Sequence, residues 1–104
     1  SPYFAVPANG RGRLKLRYWL GLSANAGADD GLAVRLVDTE GRRIKVLHKV
    51  GGNGRKQRPV WRSLDKVLPR ALAGSRVAIE IEAVDAGPNA MVEAGIDQVR
   101  VTSR

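Results

Sequence analysis

The sequence predicts an all-β chain, an antiparallel two-sheet β-sandwich of the jelly-roll kind, organised as a single module over residues 1–104. Three observations predict it. Apolar residues recur at every second position in run after run, the mark of half-buried strands. Twelve glycines and five prolines fall mostly between those runs, where turns need them. About seven runs follow one another at roughly 10–15-residue spacing, the rhythm of a sandwich rather than of alternating strands and helices. A chain of 104 residues has room for one modest core and no second domain.

Each element has its own signal. A short opening strand covers Tyr3 to Val6. Leu14, Leu16, Tyr18 and Leu20 then alternate with Arg13, Lys15, Arg17 and Trp19, and Gly21 closes the run. Leu32, Val34 and Leu36 form the next inward row, ending in the hairpin-type turn Asp38-Thr39-Glu40-Gly41. On the return strand Ile44, Val46, His48 and Val50 share the inner parity. The segment Gly51 to Pro59 is the longest loop. Val60 to Val67 reads as a strand carrying Trp61, with Trp61 expected in the core, and Leu68 to Gly74 is a proline-interrupted connector. Val77, Ile79, Ile81 and Ala83 give the second clean alternation, stopped by Asp85-Ala86-Gly87-Pro88-Asn89. Met91 to Thr102 is the closing strand. The expected core is Leu14, Leu16, Tyr18, Leu20, Leu32, Val34, Leu36, Ile44, Val46, Val77, Ile79, Ile81, Ile96, Val99 and Val101.

The closing strand contains a conflict of parity, because Ala94 and Ile96 point one way and Val99 and Val101 the other if pairing is regular. A β-bulge at Asp97-Gln98 resolves it. The expectation is that Ile96 and Val99 both bury and that the Asp97 carboxylate turns toward backbone amides near the Asp29-Asp30-Gly31 loop or toward a shared cation; the plainer reading, a strand covered on both faces with Asp97 bonding neighbouring backbone amides, carries more weight.

Composition removes most chemistry. With no cysteine and one histidine, thiolate metal sites, cysteine nucleophiles and multi-histidine centres are excluded. His48 lies on an inward strand parity, and Ser23, Ser63 and Ser75 have no nucleophile-elbow context. No enzyme is expected. No 18-residue apolar run is present, so no membrane-spanning helix is expected. The chain opens on Ser1 with no signal-peptide pattern and reads as a mature product or a piece of something longer.

Eighteen Lys and Arg against ten Asp and Glu give a net charge of +8, a balance that raises polyanions as partners. Residues 1–76 hold sixteen basic and five acidic side chains, and 77–104 two basic and five acidic, so the two parts are expected to attract each other. Arg13, Lys15 and Arg17 share one strand face as a cationic stripe. Arg55, Lys56 and Arg58 crowd the long loop, where Gly51-Gly52-Asn53-Gly54 is only a weak match to a nucleic-acid backbone clamp. Outward basic residues also keep sheets soluble and block edge pairing, and that plainer reading carries more weight. Trp19 shares the face of Arg17 and is the better exposed candidate for stacking on a sugar.

The pieces "SPYF", "LRYWLGLSANAGADDGLAVRLVDTEG", "WRSLDKVLPRALAGSRVAIEIEAVDAG" and "VEAGIDQVRVT" resemble, in that order, the galactose-binding-like or MAM-like jelly-roll modules of secreted bacterial proteins. The resemblance covers most of the chain except Lys45 to Pro59. It departs from the family pattern in having Gln98 in place of a frequent second aspartate, and in lacking the strand that usually precedes "SPYF". It implies a non-catalytic accessory domain, extracellular or in the cell envelope, that contacts polysaccharide or a neighbouring protein domain. A basic nucleic-acid-binding domain is the alternative. No cofactor is expected apart from the structural calcium ion that some such modules hold, for which Asp29, Asp30 and Asp97 are the candidate ligands. Asp29-Asp30-Gly31 is also explained as an ordinary turn.

Overall fold

The computed structural model of the chain describes residues 3–24, 26–27, 30–53, 55–84 and 92–103. Seven strands follow in order: β1 Tyr3–Ala5, β2 Arg13–Leu22, β3 Gly31–Val37, β4 Arg43–Gly51, β5 Arg62–Val67, β6 Arg76–Val84 and β7 Val92–Thr102. Among the described residues a single 3-10 turn, Arg70–Leu72, leads into β6. The strands form a four-stranded sheet, β1-β6-β3-β4, and a three-stranded sheet, β5-β2-β7. Every ladder is antiparallel, and the two sheets pack face to face as a β-sandwich.

β2 is the middle of the smaller sheet. It pairs Leu16 with Leu64 on β5 and Tyr18 with Ile96 on β7. Its inward row packs on Leu32, Val34 and Leu36 of β3, and all of these are buried. Leu14, Val34 and Leu36 have no exposed surface at all. Val77 belongs to this cluster as expected, with Ala26 beside it, and Val6, Leu22, Leu47, Leu64 and Leu68 join it. None of the five was in the expected core, since they lie at strand ends, in connectors or off the visible alternation.

Ile44 and Val46 are not core residues, being 40% and 50% exposed, whereas Leu47 is buried. The ladder between β3 and β4 shows why. Val34 pairs with His48 and Arg35 with Val46, so Leu47 is an extra residue, and a bulge of this kind reverses the parity beyond it. Burying Leu47 stabilises by about 1.5–3 kcal/mol, while Val46 joins Arg35 on the outer face. A second shift follows between Leu36 and Val37, and it leaves Ile44 outside.

The closing strand is irregular where its pattern requires it. On β7, Gln98 and Val99 face Leu16 alone, because Arg17 pairs with Asp97 and Lys15 with Arg100. Gln98 takes a positive φ of 55°. Ile96, opposite Tyr18, and Val101, opposite Leu14, thereby both pack on the core. Val99 does not, and is 50% exposed; the bulge reconciles Ile96 with Val101 and leaves Val99 at the kink. Trp61 is also outside the core, at 45% exposed, just ahead of the first residue of β5.

These differences separate two substitutions of like size. Leu14→Ala is expected to destabilise by about 2–5 kcal/mol and Ile44→Ala by less than about 1 kcal/mol, measured as urea midpoints. Equal losses would contradict the β4 register.

Candidate functional site

The outward row of β2, namely Arg13, Lys15, Arg17 and Trp19, lies on the open face of the three-stranded sheet. The ladders set its neighbours. Lys15 faces Asp65 and Arg100, Arg17 faces Ser63 and Asp97, Trp19 faces Gly95 and Gly21 faces Glu93. Arg13 Nε donates to Asp65 Oδ1 at 2.8 Å, which is the main reason the Asp65 carboxyl sits below the usual carboxylate range. The Arg17 guanidinium carbon lies 5.7 Å from the centre of a Trp61 ring, within cation–π range. Gly95 is required for a different reason. A β-carbon there would collide with the Trp19 indole, so the glycine lets the ring lie close on β7.

Trp19, Pro59, Trp61 and Glu93 line one shallow depression of about 280 Å³. A second hollow of about 360 Å³ adjoins it and shares Pro59 and Glu93, adding Gly21, Leu22, Lys56 and Gln57. The long loop is held here by its own chemistry. Leu22 and Gln57 exchange backbone hydrogen bonds of 3.0 and 2.9 Å, and Pro59 lies beside Gly21. The structure thus brings Trp19 and Arg17 together with Trp61, and Lys56 to the adjoining hollow. Arg55 and Arg58 are exposed on the same loop, and no hydrogen bond or ring contact joins them to the indoles among the described residues. Trp61, Glu93 and Pro59 were not expected here. The pairing of Gly21 with Glu93 and the docking of the loop depend on contacts between distant parts of the chain, which no local pattern carries.

The basic residues of the stripe share one face and are interleaved with acidic neighbours. On this face Arg13, Lys15, Arg17 and Arg100 are set among Asp65, Asp97 and Glu93, four cations against three anions.

Asp30 and Asp97 are not brought together. Asp97 is exposed in the smaller sheet and accepts the Gln98 N–H at 2.8 Å. Asp30 is buried in the loop before β3 and accepts the Gly27 N–H at 2.9 Å. Its turn is tied to the end of β4, where Gly52 N donates to the carbonyls of Gly27 and Asp30, each at 3.0 Å. Gly31, at φ 145°, leaves no room for a side chain against the Val50 carbonyl. Asp29 lies outside the described residues. Among the described residues no three His, Asp or Glu groups converge as metal ligands.

His48 links the two sheets. Its Nε2 lies 3.2 Å from the Tyr18 hydroxyl, and the two rings are tilted by 54° with centroids 5.5 Å apart. Burial, and then the charge of Lys66, push the imidazole pKa below its ordinary value.

Compared with known proteins, the chain matches no family model, no curated protein and no solved structure.

The lowered His48 pKa sets a pH dependence. An unfolded imidazole titrates near about 6.5, so just below that pH the unfolded chain binds more protons than the folded one. The contribution of His48 is therefore present above about pH 6.5 and lost as pH falls through the lower folded value. The urea midpoint is expected to drop between pH 7.5 and 5.5, and to drop less in His48→Gln. The depressed carboxylates of Asp38 and Asp65 act only near and below pH 4, so an equal drop in the variant would refute the assignment.

Proposed function

We propose that this chain is a non-catalytic carbohydrate-binding module, and that its ligand lies across the open face of the sheet β5-β2-β7. The observation that carries this reading is the placement of Trp19 and Trp61 around one shallow, open depression. Sugar rings present apolar C–H faces and a rim of hydroxyls. Binding sites for such molecules combine aromatic surface with a few directional polar groups. Here Glu93 can accept from hydroxyls and Arg17 can donate to them. The winding supports the reading too, since every connection except the β3–β4 hairpin crosses between the sheets, as in the jelly roll that the sequence resemblance implies. On that resemblance the module belongs to an exported bacterial protein, outside the cell or in its envelope.

The mixed charges of the face weigh against nucleic acid. A polyanion groove gains from neutralising many phosphates, and here the four cations of the strands are interleaved with three anions, with Lys56 of the docked loop beside Glu93. Contact with a neighbouring protein domain is the remaining alternative.

The test is a glycan array followed by titration of the best ligand. Trp19→Ala and Trp61→Ala are each expected to weaken binding by about tenfold, or ~1.4 kcal/mol, with the fold intact. Affinity should change little between 50 and 200 mM salt, whereas a protein making six or more phosphate contacts loses about a thousandfold. Salt-steep binding to DNA or RNA, or silence on the array, would overturn the proposal.

A further inference from the structure

The two sheets of the sandwich do not match in width. β6 lies over β7 and β3 over β2. Stepping outward along the larger sheet, β1 follows β6, but no described strand of the smaller sheet follows β7. Over its three residues, Tyr3–Ala5, β1 therefore overhangs a position one strand wide beside the edge of β7 that no described strand pairs.

Four further observations mark this position as a slot. First, the strands beside it are not fully sealed: Phe4 of β1, Ile79 and Ile81 of β6, and Ala94, Ile96 and Val101 of β7 pack on the core yet remain only partly buried, while Val77 and Ala78, opposite Phe4 and Tyr3, are buried. Second, Val99 is half exposed. Third, a groove of about 630 Å³ at the Thr102 end is lined by Phe4, Ala5 and Pro7, by residues 100–103 and, from the outward row of β2, by Lys15. Fourth, the Thr102 hydroxyl oxygen is buried without a hydrogen-bond partner, an arrangement folded proteins mostly avoid.

We propose that this slot accepts one extended polypeptide strand from another chain, added antiparallel to β7 and beneath β1. An unpaired strand edge is a template for such addition, and every ladder among the described residues is antiparallel. The overhang decides the occupant. The β7 edge of a second copy could not enter, because that copy's β6 covers its β7 and would meet β1. A lone strand carries no second layer and fits. Its inward side chains would be apolar, to cover Val101, Val99 and Ile96. Its outward ones would complement the outward residues of β7, acidic beside Arg100 and basic beside Asp97 and Glu93. The bulge is no obstacle, since an incoming strand can set one residue against Gln98 and Val99 as Leu16 does on the other side.

The probe is the peptide TVEVKVTVK, which reads antiparallel from Thr102 to Glu93 in that register. Its control is TVEPKPTVK, because proline cannot supply the ladder donors. Amide hydrogen exchange of the whole 104-residue chain is the readout. The first peptide is expected to slow exchange in β7 by about tenfold, and the control to leave it unchanged. Val99→Asp, a substitution at a half-exposed site, is expected to abolish the protection without altering the urea midpoint. Phe4→Ala serves as an independent variant on the β1 side and is expected to weaken it. The proposal is overturned if β7 gains no protection at millimolar peptide, or if protection appears equally on the outer edges of β4 and β5. Self-association of the chain through β7 would overturn it as well.

Discussion

Leu14, Leu16, Tyr18 and Leu20 are buried in a row, and that row holds the smaller sheet in register. A strand places successive side chains on opposite faces, so a slip by one residue would carry four core residues into water and four polar or amphipathic ones into the core. Each fully buried leucine stabilises by about 1.5–3 kcal/mol, which makes the slipped state far too costly to populate. The outward row is fixed by the same constraint. Trp19 and Arg17 stand where they do because Tyr18 and Leu20 are inside. β5 and β7 hydrogen-bond to the two edges of β2, so their outward residues fall beside this row, and the candidate site is the reverse side of the core.

Where alternation fails, the chain inserts one residue rather than giving up burial. Leu47 on β4 and Gln98-Val99 on β7 are two such cases, beside the further shift on β4 that leaves Ile44 unpaired in the ladder. The first could not be read locally. Ile44, Val46, His48 and Val50 form a plausible apolar row, and Leu47 stands alone between His48 and Val46. Only the pairing of Val34 with His48 and Arg35 with Val46 shows which row turns outward. The second was legible, because Ile96 and Val101 are an odd number of positions apart and both are large and apolar. The fate of Val99 was not legible, since it depends on what covers the edge of β7. Trp61 was misplaced for a related reason. It belongs to no ladder, so strand parity says nothing about it, and the Arg17 side chain and the docked loop decide its surroundings.

The basic excess follows the same pattern of local clarity and tertiary revision. The acidic end of the sequence is folded against the basic part. Arg35 Nη1 donates to Glu80 at 3.1 Å and to Glu82 at 3.0 Å, and Arg43 Nε donates to Glu80 at 3.0 Å. The exposed pairs contribute little to stability, on the order of 0–1 kcal/mol each. These pairs all lie on the four-stranded sheet, and on the smaller sheet the corresponding pair is Arg13 with Asp65.

The face and its ligand are tested most directly by following the two indole N–H resonances of the protein as it is titrated with the glycan that binds it best. If the open face of β5-β2-β7 is the binding surface, both resonances shift together along one saturation curve, with the amides of Gly95 and Glu93. Saturation with both indoles unmoved, and with shifts confined to the four-stranded sheet, would contradict it.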